Sequence, residues 1–282
     1  MSNLPPDLAL ATLHLVRNLA RRVGQEMVEL SDSLRASTDK GGLNADGTTS
    51  VDVVTLADTH AEKALTSELA NLFPEHRIKG EEGTRLGPAD SPWVWHIDPL
   101  DGTGNYSRGL PYWALSLGLA YGDQPVLGVI HGPACGISIS AAVGVGAWSW
   151  KPGVGDDPGE DIPLPQATPA GPINRWVVAT DWPWDLGERQ RSVRLLAHLA
   201  PKIRQYKTYG SAAVDLAHLV TGKVDAYAIS KIFPWDQAAG AAAALALGYE
   251  LRTWTGAPWD LRHADIVAHR PGMWPELAGG LG

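Results

Sequence analysis

A chain of 282 residues, 44% hydrophobic and 19% charged, carries enough apolar side chain for a substantial core and is not a disordered polymer. Its 23 lysines and arginines are outnumbered by 31 aspartates and glutamates, a formal charge of −8 that disfavours grip on a nucleic-acid backbone through surface charge. The one cysteine, Cys135, excludes an internal disulfide framework and any thiolate cluster for zinc or iron–sulfur.

No basic segment leads into an apolar run with a small-residue cleavage site, and no stretch of about 18 apolar residues occurs. Neither a signal peptide nor a membrane span is expected, and the cytoplasm is the default location. Pro5, Pro6 and Asp7 mark a helix start. Leu13, Val16, Leu19, Val23, Met27 and Leu30 then recur at three- and four-residue spacing, the apolar stripe of a long amphipathic helix. Residues 37–50 are Gly-rich and polar and predict a loop. Asp58 to Phe73 returns to helical spacing until Pro74 stops it. After a Gly-rich turn over 80–87, strands are predicted over 93–97, 114–120, 126–130 and 137–141. Gly144-Val145-Gly146 lacks the third glycine of a dinucleotide fingerprint and reads as a hairpin connection.

A Pro/Gly-rich connection over 151–172 separates an N-terminal half, 1–150, from a C-terminal half, 173–282. In the second half strands (176–179, 226–229, 249–252, 266–268) alternate with helices (191–199, 212–220, 237–247). Such an order predicts a mixed α/β protein with stacked layers sharing an interface. The 12 tryptophans are read as packing residues.

The chemistry concentrates in Trp95-His96-Ile97-Asp98-Pro99-Leu100-Asp101-Gly102-Thr103-Gly104-Asn105. Two aspartates at the end of an apolar strand, with proline stiffening the turn between them, are costly to hold together unless a cation neutralises them. Asp98, Asp101 and the Leu100 carbonyl therefore make a plausible Mg²⁺ cradle of hard oxygens. Gly102 and Thr103 place backbone N–H groups where a helix begins, a seat for a phosphate. Gly80-Glu81-Glu82-Gly83 and Phe233-Pro234-Trp235-Asp236-Gln237-Ala238-Ala239-Gly240 add acidic residues, Asp236 reading equally as the N-cap of an Ala-rich helix. Asp181 and Asp185 mimic a paired-carboxylate site, but in a Pro-rich loop a rim or turn role is expected. His96 is expected to be structural and Cys135 inert. P-loop, H-E-x-x-H and G-x-S-x-G motifs are absent.

Val51-Asp52-Val53-Val54-Thr55-Leu56-Ala57-Asp58, followed in order by the Glu81, Asp98 and Asp236 strings, resembles the inositol monophosphatase family of Mg²⁺-dependent, lithium-sensitive phosphatases. The resemblance implies an α/β (α+β) fold, the layered αβαβα sandwich of the inositol monophosphatase/fructose-1,6-bisphosphatase type, assembled as a homodimer; charge and the lack of an apolar span argue for no nucleic-acid and no membrane partner. It implies two or three Mg²⁺ ions. Glu81, Asp98 and the Leu100 carbonyl would hold one; Asp98, Asp101 and Asp236 a second, with Asp98 bridging; a third would lean on Glu81. Thr103, hydrogen-bonded to Asp58, would position the attacking water, with Glu81 helping to deprotonate it and Glu82 in support. The phosphate would rest on the Gly102 and Thr103 amides, bordered by Leu100, Asp101 and Asp236. Gly210, Ser211 and Ala212 match a segment that touches the alcohol.

Two departures stand out. Gly104 replaces a frequent threonine, and Ile229 replaces the acidic residue that reads sugar hydroxyls in inositol-selective members, a task left to Ser230 or Lys231. The segment 107–113 is similar to histidinol-phosphatase members. The expectation is hydrolysis of a small alcohol phosphate, inositol 1-phosphate by default. Histidinol phosphate, fructose 1,6-bisphosphate and 3′-phosphoadenosine 5′-phosphate are the rivals, and a non-catalytic partner-binding protein the different class. Metals rather than lysines would let an acidic protein bind an anion.

Overall fold

The computed structural model describes residues 4–31, 37–39, 53–151, 159–183 and 185–281. The chain runs α1 (Pro6–Glu29), β1 (Ser37–Asp39), β2 (Val53–Thr55), α2 (Leu56–Leu72), β3 (Arg77–Gly80), β4 (Arg85–Leu86), β5 (Trp93–Asp101), α3 (Thr103–Ser107), β6 (Ala114–Tyr121), β7 (Gln124–Gly132), β8 (Ile137–Ala142) and β9 (Gly146–Lys151). It continues through β10 (Glu160–Pro163), β11 (Val177–Ala179), α4 (Leu186–Leu199), β12 (Gln205–Lys207), α5 (Ala212–Val220), β13 (Ala226–Ser230), α6 (Pro234–Ala246), β14 (Glu250–Arg252), β15 (Asp265–His269) and α7 (Trp274–Ala278).

Alternation along β6 and β7 decides how the layers stack. Leu115, Leu117 and Leu119, with Leu127 and Val129, pack against the buried stripe of α1 and against Leu65 and Leu69 of α2. The intervening positions are small, Ser116, Gly118 and Ala120 on β6 and Gly128 on β7, and they face the alanines of α6. A Cβ on Gly118 would collide with Ala238, and one on Gly128 with Ala239. Only glycine lets helix and sheet approach this closely.

These strands belong to an eight-stranded sheet ordered β10-β9-β8-β7-β6-β5-β3-β4. Beyond α5 and α6 lies a five-stranded sheet ordered β12-β11-β13-β15-β14, and the middle core joins both sheets through Ile130, Ile139, Leu216, Tyr227 and Ile266. Leu195 and Leu199 of α4 and Leu277 of α7 cover its outer face. The result is an αβαβα sandwich with three apolar interfaces, as the resemblance implies.

Several boundaries shift for identifiable reasons. Leu30 follows α1 as its exposed C-cap rather than completing the buried stripe. Within the predicted loop over 37–50, residues 37–39 form a strand paired with β2, and 40–50 lie outside the described residues. The Gly80–Gly87 turn is framed by β3 and β4. The 151–172 segment contains β10, which pairs with β9 and holds Arg17 of α1 through Asp161 at 2.7 Å. Short strands such as these are recruited by their partners, and three or four residues leave no periodicity to read. The hairpin expected at 144–146 joins β8 to β9.

His131 ties this half together, its Nδ1 lying 2.9 Å from Ser138 Oγ and its ring stacked on Trp150 at 5.0 Å. Burial, reinforced by Arg21, pushes its pKa down from 6.5 to about 4. The unfolded chain therefore binds this proton more tightly, so stability is complete above 6.5 and is lost as pH falls through that window. Replacing His131 by Phe is expected to reduce the stability loss between about pH 7 and pH 5 by roughly 2 kcal/mol. Urea titrations at the two pH values check this; an unchanged slope with pH counts against a buried neutral imidazole.

Candidate active site

The C-terminal end of β5 carries the first two acidic groups. Asp98 lies opposite Ser116 and Asp101 opposite Ala114, so three steps on β5 match two on β6. This is a bulge at Pro99-Leu100, and the extra residue turns Asp101 towards Asp98 instead of to the opposite face. Leu100 N donates to Asp98 Oδ1 at 2.9 Å. Gly102 (φ 97°) then reverses the chain into α3, a conformation that an L side chain rarely adopts.

Helix α2 supplies the next layer. It begins at Leu56, before the predicted start, because Thr55 and Asp58 form a capping box. Asp58 Oδ2 accepts from Thr55 N and Thr55 Oγ1 at 2.7 and 2.6 Å, leaving Oδ1 for Thr103, whose Oγ1 is 2.9 Å away and also 3.0 Å from the Leu100 carbonyl. Burial raises the Asp58 carboxyl, opposed by these hydrogen bonds. One turn further on, buried Glu62 accepts from Glu82 N at 2.7 Å and Thr84 N at 3.0 Å, which shapes the loop carrying Glu81. Arg85 donates to the Gly80 carbonyl and lies 5.8 Å over the Trp235 ring, linking this loop to the Asp236 segment. Val51 and Asp52 of the first motif lie outside the described residues.

Asp236 is not an N-cap. Pro234 opens α6, so Asp236 is its third residue and reaches back to accept from Phe233 N at 2.8 Å. Ser116 Oγ, on the residue opposite Asp98, donates to the Trp235 carbonyl at 2.9 Å and pins this end of the helix to the sheet.

Glu81, Asp98, Asp101 and Asp236 thus come together from β5, the β3–β4 turn and α6. Burial pushes the Asp98 carboxyl well up, with Glu81, Asp101 and Asp236 adding to the shift. Burial also raises Asp236 strongly, and Asp101 to about 7. Asp98 lies within interaction reach of both Glu81 and Asp236, an approach that ionised carboxylates tolerate only with a proton or a cation between them. Among the described residues no group of three or more acidic, histidine or cysteine side chains is placed as a ready-made metal site. The donor set is nonetheless all hard oxygen and mutually repulsive when ionised, which suits Mg²⁺ and not a thiophilic metal.

The turn before α5 closes the site. Asp101 Oδ2 accepts from Ser211 Oγ at 2.7 Å and Ala213 N at 2.5 Å. Asn105 Nδ2 donates to the Tyr112 and Tyr209 carbonyls at 2.6 and 2.7 Å. The Ser211 hydroxyl is buried against Asp101. Asp181, expected on a rim, is instead buried and accepts from Gly210 N at 2.8 Å; the strand end that carries it faces the same turn. Asp185 does have the expected turn role, capping α4 through Glu188 N at 3.1 Å. Ile229 is 7% exposed and packs in the middle core. Ser230 Oγ lies 3.5 Å from the Glu188 carbonyl and Lys231 Nζ 4.0 Å from Asp185. His96 is buried, its pKa pushed down to about 3 by burial with Lys79, Arg77 and Arg85 adding to it. Cys135 is half-buried, its thiol pushed up by burial.

Glu62, Arg85 and Asp215 escape a motif-based reading, Asn105 stands in the central string without a role, and Asp181 is noticed but assigned to a rim or turn. The signals were present for three of them. Glu62 lies four residues after Asp58 on one helix face, Asp181 follows a strand end, and Asp215 is the lone acid in the apolar run Ala212–Val220.

A family model described as the inositol monophosphatase family matches residues 12–281. An inositol-1-monophosphatase of Mycobacterium bovis is 32% identical over 285 residues, covering 99% of this chain and 94% of its own. A Vibrio cholerae protein named Nus factor SuhB is 28% identical, covering 92% and 91%. The crystal structure of the extragenic suppressor protein suhB of Bartonella henselae superposes with a TM-score of 0.81 at 25% identity, covering 96% of this chain and 98% of that one. A Thermotoga maritima IMPase shares the fold with a TM-score of 0.80 at 24% identity, covering 96% of each chain. No helix among the described residues is long and apolar enough to cross a membrane. A match through nearly the whole chain, over acidic groups gathered at one strand end, places this protein in the inositol monophosphatase family, whose members are phosphoric monoester hydrolases.

Proposed function

We propose that this chain hydrolyses the phosphate monoester of a small alcohol with Mg²⁺, inositol 1-phosphate being the reference substrate. The observation that carries the reading is the gathering of Asp98, Asp101 and Asp236, whose carboxyls are raised by burial and by neighbouring acids, with Glu81 acting on all three. Glu81, Asp98, Asp101, Asp236 and the Leu100 carbonyl would hold two or three Mg²⁺ ions, with the lithium sensitivity and homodimeric assembly that the family resemblance implies, in the cytoplasm as the default location. Bound there, Mg²⁺ supplies neutralisation of the phosphate oxygens and acidification of a water.

The chain's own groups supply position. With its proton given to Asp58, Thr103 Oγ1 turns a lone pair outward and accepts from the attacking water, aiming that oxygen at phosphorus. Gly102 and Thr103 amides seat the phosphate, and Glu62 and Glu82 set the Glu81 loop. Because the Ser211 hydroxyl is spent on Asp101, contacts from residues 210–212 to the alcohol come from backbone atoms.

The alcohol pocket lacks the hydroxyl-reading carboxylate at Ile229, and Ser230 and Lys231 are directed to the 185–188 segment. Selectivity for inositol over a generic aryl phosphate should therefore be weak. Introducing Ile229→Glu is expected to raise that kcat/KM ratio about tenfold or more, since a buried group that pairs with a substrate hydroxyl discriminates strongly. A substrate panel at fixed Mg²⁺ measures it; an unchanged ratio removes this position from substrate choice. The name of the Vibrio relative favours a second reading, a partner-binding role. A biological effect that survives Asp98→Asn while hydrolysis is lost would select it.

A further inference from the structure

Behind the 209–212 turn lies a second pair of acids outside the metal cluster. Asp215, on the first turn of α5, is 0% exposed, and Asp181, past the end of β11, is 8% exposed. Their carboxyls lie within hydrogen-bonding reach of each other. Asp181 Oδ1 accepts from Gly210 N at 2.8 Å and Oδ2 from Tyr227 Oη at 3.2 Å. Neither carboxyl oxygen of Asp215 receives a donor from the described residues. Among the described residues, Asp101, Tyr227 and, across the turn, Tyr209 also interact electrostatically with Asp215, none of them a cation.

Two buried carboxylates in contact, with no cationic side chain among the groups acting on Asp215, cannot both be ionised without a large penalty, and donor counting says which keeps the proton. Asp181 has two donors and so carries the charge. Asp215 has none and so must itself be a donor. We propose that Asp181 and Asp215 hold a single proton, resident on Asp215, and together act as positioning residues for the 209–212 turn. Asp215 gives its O–H to Asp181, which completes the set of donors that fixes Asp181 on Gly210 N. Ser211 Oγ and Ala213 N are held on Asp101, and the Tyr209 carbonyl on Asn105. Every end of the turn is thereby set by an acid or amide from another element, and its position is coupled to Asp101. Burial pushes both carboxyls up, Asp215 further than Asp181.

The kinetic consequence rests on the reading of residues 210–212 as the alcohol's seat; the proton's location does not. Asp215→Asn replaces the donor O–H by an amide N–H and is expected to keep kcat/KM within about twofold and the melting temperature unchanged. Asp215→Ala removes the donor, and Asp181→Asn sets an amide N–H against a donor. Each should lower kcat/KM about tenfold or more, carried by KM, with kcat largely kept. The infrared difference spectrum of the Mg²⁺-treated protein, parent minus Asp215→Asn, should show one protonated-carboxyl carbonyl band at neutral pH. Loss in Asp215→Asn equal to that in Asp215→Ala, an Asp181→Asn variant as mild as Asp215→Asn, or absence of the band overturns the proposal. If Asp181→Asn does not fold, the Asn-against-Ala comparison at 215 and the spectrum still decide. If the band is present but KM is unmoved, the proton's location stands and the positioning role falls, with the alcohol seat then to be sought elsewhere.

Discussion

Replacing Asp98 by Asn is expected to lower kcat/KM on the order of 10³-fold, about 4 kcal/mol of transition-state stabilisation, while the chain still folds. Asp98 sits between Glu81 and Asp236 and beside Asp101, so no neighbour can take over its place. The same change separates catalysis from stability. A carboxyl held above 3.8 binds its proton more tightly in the folded chain. Its stabilising effect is therefore complete below 3.8 and lost as pH rises through the window above it. At neutral pH without metal the amide has no charge to desolvate, and the variant should be at least as stable as its parent.

Mg²⁺ should reverse this order. At a hundredfold excess over Kd it stabilises the parent by about 2.7 kcal/mol and the variant far less. Calorimetric Mg²⁺ titration and melting with and without Mg²⁺ measure both effects. Unchanged Mg²⁺ affinity in Asp98→Asn would remove Asp98 from the metal site, and with it the proposed mechanism.

Gly118→Val is expected to destabilise the protein by about 3 kcal/mol or more, because overpacking at a closed helix–sheet contact forces the backbone apart. The first added carbon meets Ala238 and the backbone of Ala239, which cannot yield as a flexible side chain would. For a chain of this size the melting temperature should fall by roughly 6 °C or more. Whatever folds should also hydrolyse poorly, since lifting α6 off β6 carries Asp236 away from Asp98. Gly118→Ala should sit between the two. A valine variant with normal melting and activity would show that the close approach does not place Asp236.

The acidic cluster was legible from the sequence because its members are irreplaceable chemically and sit in short strings. Asp98, Asp101 and Thr103 come from one stretch of nine residues, WHIDPLDGT, at a strand end that apolar residues announce. The helices α1, α2, α5 and α6 were equally readable from their stripes and from Pro and Gly boundaries. What surrounds the cluster was not. Glu62 and Asp181 act through backbone N–H groups far away in sequence, and such groups are identical in every residue type. Asp181 read as a rim residue because a Pro-rich loop is usually exposed; here the strand before it runs into the interior.

By itself the amino-acid order determined which side chains can carry the chemistry, the helical stripes, and the presence of alternating layers, because these depend on residue type and on spacings of a few residues. Tertiary structure alone decided the bulge that turns Asp101 to Asp98, the packing of α6 that brings Asp236 to the same site, and the burial that makes one proton serve both Asp181 and Asp215. They depend on register with a neighbouring strand, on which helix packs over which sheet, and on how much water is excluded between segments, quantities that no local pattern encodes.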